Sequence, residues 1–238
     1  MSVRGAGPYG GDLEARLASI RTSIADAAAR SARSSDEVIL VAISKRVPAD
    51  RVAAAAALGV GDFGENYVKE LTGKREVVGG VTWHFIGTLQ SNTAHRVAET
   101  ADWVDTLVPG RATERLAKRA AVHGRRIPCL IQVDFTDGAR IGTPPEEVEA
   151  FCDQVAGLEG VELRGLMTLP PMPATSEDAR PWFVQLRELR NRVAEAHPQA
   201  TELSMGMSLD YGVAVEEGAT MVRVGTALFG ERPVTRTP

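Results

Sequence analysis

The chain has 238 residues, 44% of them hydrophobic and 24% charged, with a formal net charge of −4 and a pI near 5.7. That balance supplies a sizeable core and excludes a nucleic-acid protein whose affinity comes from backbone electrostatics. No apolar run is long enough for a membrane span, and Cys129 and Cys152 fit neither a metal spacing nor a disulfide framework, so a reducing cytoplasm and no metal are expected.

Residues 1–11, rich in glycine, lack the apolar core of a secretion signal and read as a disordered leader to one domain over 12–233. Leu13, Leu17, Ile20 and Ile24 recur at helical spacing and predict a helix over 12–30. Residues 38–44 form a continuous, β-branched apolar run, as expected of a strand buried on both faces, and Lys45-Arg46-Val47-Pro48 ends it. Further strands are predicted at 62–64, 82–86, 103–107, 128–134, 162–168, 201–205 and 221–225. Helical segments fall between them at 49–58, 66–77, 92–100, 111–123, 145–156, 176–196 and 209–217. Strands alternating with helices in this number predict an α/β fold, a single (β/α)8 TIM-type barrel. A doubly wound open sheet is the alternative, but no Gly-x-Gly-x-x-Gly turn follows the first strand. The Pro-rich stretch 169–173 reads as a loop after strand six.

Barrel chemistry sits at the C-terminal ends of the strands. Lys45 stands at such an end, where desolvation lowers the cost of a neutral, nucleophilic amine; the plainer alternative is a lysine that marks the strand end and reaches water. Ser208 is placed as the N-cap of the helix after strand seven, and Gly225-Thr226 open a short helical turn after strand eight. Paired loops of this kind hold phosphate through backbone N–H groups and hydroxyls. In the strand 221–225, Val222 and Val224 suit the helix-facing side, so Arg223 points into the barrel and needs an acceptor. That acceptor is either a carboxylate, such as Glu65 or Asp210, or the ring nitrogen of a ligand. A reactive lysine, a phosphate site and an inward arginine around one mouth point to pyridoxal 5′-phosphate (PLP).

Several stretches carry a family resemblance: Val41-Ala-Ile-Ser-Lys45, Phe63-Gly-Glu-Asn-Tyr67, Trp83-His-Phe-Ile-Gly87 with Leu89-Gln-Ser-Asn92, Gly165-Leu-Met167, Leu203-Ser-Met-Gly-Met-Ser208 and Val222-Arg-Val-Gly-Thr226. In these the chain resembles the pyridoxal phosphate homeostasis proteins, in order from residue 41 to residue 230. The resemblance implies a single PLP-binding barrel like the N-terminal domain of alanine racemase. It implies Lys45 as the Schiff-base lysine and Arg223 opposite the pyridine nitrogen. Ser208, Gly225 and Thr226 match the phosphate binders, and Asn66, His84 and Met167 match residues lining the cofactor pocket. The implied role is PLP carriage in vitamin B6 homeostasis without established turnover, with PLP-dependent apoenzymes as recipients and a monomeric, cytoplasmic protein.

Three positions depart from the family pattern: Thr93 stands where a lysine is usual, Leu209 where a small or acidic residue is common, and Arg140 is the remaining basic residue of the segment Arg140-Ile-Gly142. Taken alone, His84 reads more readily as a hydrogen-bonded structural histidine, and Met167, Met205 and Met207 as core fillers. Lys118-Arg119 and Arg125-Arg126 read as a solvated helix face, and Asp134 and Asp137 lack metal-ligand partners. The alternative function is an amino-acid racemase of the same barrel type, which needs a second acid–base group opposite the lysine. With the chain ending at Pro238, three tyrosines in all and no second domain to bring another, a carrier is expected.

Overall fold

Side chains along a strand alternate between faces, and here the two faces build two separate cores. Ala42, Phe63, Trp83, Phe85, Val104, Ile131, Val222 and Val224 join a large outer core beneath the helices. Val41, Ile43, Leu130, Met167 and Met221 form a smaller inner core, with Ile39, Ile86 and Trp103 packed on it. A sheet with apolar residues on both faces must be covered outside and filled inside, and a closed barrel ringed by helices does both.

The computed structural model describes residues 10–230. Most of the predicted leader 1–11, and the last residues of the predicted domain 12–233, lie outside them. Helix α1 (Gly10–Arg30) begins within the last residues assigned to that leader. The strands are β1 (Ile39–Ile43), β2 (Asp62–Glu65), β3 (Thr82–Phe85), β4 (Trp103–Leu107), β5 (Ile127–Val133), β6 (Val161–Thr168), β7 (Glu202–Ser204) and β8 (Met221–Val224). Each pairs in parallel with the next, and β8 pairs with β1, closing the ring. Between them run α2 (Ala49–Ala57), α3 (Val68–Val77), α4 (Ala94–Thr100), α5 (Arg111–Val122), α6 (Val148–Ala156), α7 (Arg180–Ala196) and α8 (Tyr211–Glu216), with α9 (Thr226–Phe229) after β8. The predicted helices at 145 and 176 instead begin as 3-10 turns, Pro145–Glu147 and Ser176–Ala179, and become α-helical only afterwards.

One bulge decides which way β6 faces. Cys129 pairs with Leu163 but Leu130 pairs with Gly165, so Arg164 is the extra residue. Val161 and Leu163 therefore face outward, as does Leu166, while Met167 turns into the barrel. Gly165 has φ +155°, and a Cβ there would lie 2.0 Å from the Glu202 carbonyl oxygen, so only glycine fits the bulge.

The barrel interior also holds charge. His84 is 1% exposed, stacked on Trp103 at 5.5 Å between ring centroids. Its Nδ1 lies 3.0 Å from Asp105 Oδ1 and its Nε2 lies 3.3 Å from Asp62 Oδ1. Asp62 is the first residue of β2 and Asp105 the middle residue of β4, so the ring bridges two neighbouring strands from inside the barrel. His84 is thus held inside the barrel by two carboxylates and is not among the residues that line the mouth cavity. Burial alone would discharge the imidazole, but the pull of Asp105, with hydrogen bonds to Asp105 and Asp62, raises its pKa to about 9.

Among the described residues no helix is long and apolar enough to cross a membrane, and no group of three His, Cys, Asp or Glu is placed to hold a metal. Cys129 and Cys152 are free and buried, and burial raises both thiol pKa values, leaving them poor nucleophiles.

A folded-state pKa above the unfolded one gives stability that is complete below about pH 6.5 and lost as pH rises through about 9. The span from 6.5 to about 9 corresponds to at most about 3 kcal/mol. Urea unfolding at the two ends of this window should show the lower stability at the alkaline end. His84→Gln should remove most of that difference, whereas an unchanged difference would contradict a charged His84.

Candidate functional site at the barrel mouth

Period-two alternation carries β1 from Val41 and Ile43, both in the inner core, to Lys45 at the rim. There a cavity of about 380 Å³ opens, and Lys45, Asn66, Met167, Ser208, Arg223, Gly225 and Thr226 all line it. Of the predicted pocket residues only His84 is missing from its walls. The apolar remainder comes from Ile43, Ile86, Leu169, Met172, Met207 and Leu209, which the sequence reading had not assigned to the site. The same alternation that brings Lys45 inward marks Ile43 and Ile86; the loop residues carry no such signal.

Arg223 is 3% exposed. It donates from one terminal nitrogen to Ser204 Oγ at 2.7 Å and from the other to the Thr168 carbonyl at 2.7 Å. The carboxylate partners proposed from the sequence are not used. Glu65 faces outward to α3, and Asp210 accepts the Met207 N–H at 2.6 Å. Burial lowers the Arg223 pKa to about 10, with Asp105 and Asp210 pulling the other way, so the group stays a cation at neutral pH. Burial likewise raises the Asp210 pKa, against the Met207 N–H and Arg223. The interior end of the cavity is thus a buried guanidinium bonded to neutral oxygens.

Two short helices meet at the other wall. Ser208 is not the N-cap of α8, as its position had predicted. The 207–210 turn, closed by Asp210, comes between, and the Ser208 hydroxyl instead accepts the Ala227 N–H of α9 at 3.3 Å. Ser208 therefore ties the loop after β7 to the helix after β8, next to Gly225 and Thr226. Asn66 ends the β2 side of the cavity, and its Oδ1 is buried without a hydrogen-bond partner. The loop after β3 packs directly on it: a Cβ on Gly87 would lie 2.0 Å from the Asn66 carbonyl oxygen.

Behind β1 lies a cluster of buried charge that no sequence motif marks. Lys74 of α3, 7% exposed, pairs with Glu65 and Glu70. Burial raises the Glu65 pKa against the pull of Lys74 and Ser44; at Glu70 the Arg46 N–H and Lys74 outweigh a smaller burial and lower it. Lys74 follows Val68 and Leu71 at three-residue spacing, which is the signal that it faces inward. The departures sit at the margins. Thr93 is half-buried at the start of α4 and bonds the Gln90 carbonyl, Leu209 is 56% exposed on the cavity rim, and Arg140 donates to the carbonyl of Leu169.

Residues 16–233 match the model of the alanine racemase N-terminal domain family. The pyridoxal phosphate homeostasis protein of Escherichia coli K12 is 38% identical over 235 residues, covering 94% of this chain and 99% of that protein. That of Vibrio cholerae is 35% identical over 231 residues, covering 94% and 98%. The structure of PipY from Synechococcus elongatus PCC7942 with PLP bound is 36% identical, with a TM-score of 0.81 over 92% of this chain and all of that one (100%). An alanine racemase of Clostridium difficile 630, 16% identical, shares the fold with a TM-score of 0.74 over 95% of this chain and 58% of its own. Extent and identity together place the chain in the pyridoxal phosphate homeostasis protein family.

Proposed function

We propose that this chain binds PLP at the barrel mouth and acts in PLP homeostasis as a carrier or regulator. The observation that carries this reading is the convergence of an amine, a buried guanidinium and a hydroxyl-lined double loop on one cavity of about 380 Å³. The volume lies in the range of small-ligand sites. The residues fit the group. Lys45 would hold its aldehyde as a Schiff base, and Arg223 would face its ring nitrogen. Ser208, Gly225 and Thr226 would hold its phosphate. Asn66, whose Oδ1 lacks a protein donor, would meet a ligand donor or a water, and Met167 would pack on the ring. When bound, PLP supplies an electrophilic aldehyde and an electron-withdrawing ring.

A carrier is favoured over a racemase by the cavity walls. Besides Lys45, the polar side chains on them are Asn66, Ser208, Arg223 and Thr226, none suited to a second proton transfer at neutral pH. Tyr67 and Tyr211 do not line the cavity, and Tyr9 lies outside the described residues. A permanently charged guanidinium at the ring nitrogen, unlike a carboxylate, does not favour a protonated ring, and this weakens carbanion stabilisation. PLP-dependent apoenzymes are the recipients in this reading. The protein is taken as a cytoplasmic monomer, a setting supported by its unpaired buried thiols.

Thr226→Val removes a hydroxyl donor at an exposed position, so PLP affinity should fall about tenfold, while affinity for pyridoxal, which lacks the phosphate, stays nearly constant. Equal losses for both ligands in titration calorimetry would contradict the phosphate assignment. Incubation of the PLP-loaded protein with alanine or serine in D2O should give Cα–H exchange near the rate of free PLP. Turnover of about 1 s⁻¹ or more would contradict the carrier reading.

A further inference from the structure

The backbone on both sides of Lys45 is held by one ion cluster. Lys74 Nζ donates to the Ser44 carbonyl at 2.7 Å, to Glu65 Oε1 at 2.6 Å and to Glu70 Oε2 at 3.0 Å. Those acceptors match the three hydrogens of an ammonium group. Glu70 Oε2 in turn accepts the Arg46 N–H at 2.7 Å, and Ser44 Oγ donates to Glu65 Oε1 at 2.7 Å. The carbonyl before Lys45 and the amide after it are therefore tied, through Lys74 and Glu70, to adjacent turns of α3. Arg46 has φ +59°, a conformation that a side chain disfavours and that persists only where the surroundings impose it.

Stability does not explain the cluster. A buried ammonium–carboxylate pair seldom outperforms apolar residues of the same volume, because desolvation offsets the attraction. What it supplies is a fixed backbone direction at the residue that leaves β1 for the cavity. We infer that Lys74 and Glu70 are positioning residues for Lys45: by clamping the Ser44 carbonyl and the Arg46 amide they set the approach of the Lys45 amine to the ligand's aldehyde. This rests on the reading of the mouth as a PLP site.

The test compares PLP with its methyl analogue, which carries CH3 in place of the aldehyde and cannot condense with a lysine. Glu70→Ala removes the acceptor of the Arg46 amide at a side chain that is 31% exposed; Glu70→Gln keeps an oxygen there. The double variant Lys74→Met, Glu65→Leu removes the donor to Ser44 without leaving a buried charge unpaired. Glu70→Ala and the double variant should each bind PLP about tenfold more weakly and develop its visible absorbance about tenfold more slowly, with the methyl analogue bound within about twofold of wild type. Glu70→Gln should restore PLP binding to within about threefold of wild type. Unchanged PLP binding in both variants, or equal losses for the two ligands, would overturn the positioning role. A wild-type protein with no preference for PLP over the analogue, unaffected by Lys45→Ala, would overturn the underlying PLP reading and the inference with it.

Discussion

The site depends on one guanidinium that the fold has taken out of water. Arg223 keeps its charge at neutral pH, and its two protein bonds go to a hydroxyl on β7 and a carbonyl at the end of β6. Both acceptors are neutral, so the charge that lines the cavity is not cancelled by a direct ion pair. Asp105 and Asp210 are close enough to stabilise it electrostatically, yet each is committed elsewhere, to His84 and to the Met207 amide. Neutral partners orient the guanidinium without cancelling its charge.

The other parts of the site follow from strand geometry. The alternation that buries Val222 and Val224 under the helices turns Arg223 inward, and the same rule carries Lys45 from Ile43 to the rim. Met167 obeys the rule only because the bulge at Arg164 and Gly165 resets it. Charge is distributed around the barrel. The His84 imidazolium is held between Asp105 and Asp62 in the interior, Arg223 is buried at the inner end of the cavity and Lys45 stands at its mouth, with the Lys74 cluster outside β1 holding the turn from which Lys45 emerges.

Much of this is legible in the chain. Eight apolar runs alternating with helical periods specify the barrel, and the residue that ends each run is a candidate by position alone. Lys45, Arg223 and Gly225-Thr226 are found this way. Other features depend on contacts that the pattern does not show. His84 faces the barrel interior as expected of its place in β3, but the carboxylates that bond its ring, Asp105 and Asp62, lie far away in sequence. Ser208 precedes a helix, yet Asp210 closes a turn between them, and the serine hydroxyl serves a helix from the next strand. Glu70 and Lys74, four residues apart, resemble an ordinary solvated helix pair; only the register of Val68 and Leu71 shows that Lys74 faces inward. The β6 bulge has no pattern of its own beyond a glycine.

The central claim is that the amine at the end of β1 holds PLP. It is tested most directly by incubating the purified protein with PLP, reducing with borohydride and locating the modified peptide by mass spectrometry. The account predicts a visible absorption band that reduction abolishes and a single pyridoxyl adduct on Lys45. An adduct spread over surface lysines such as Lys69 or Lys118, with Lys45 unmodified, would contradict it.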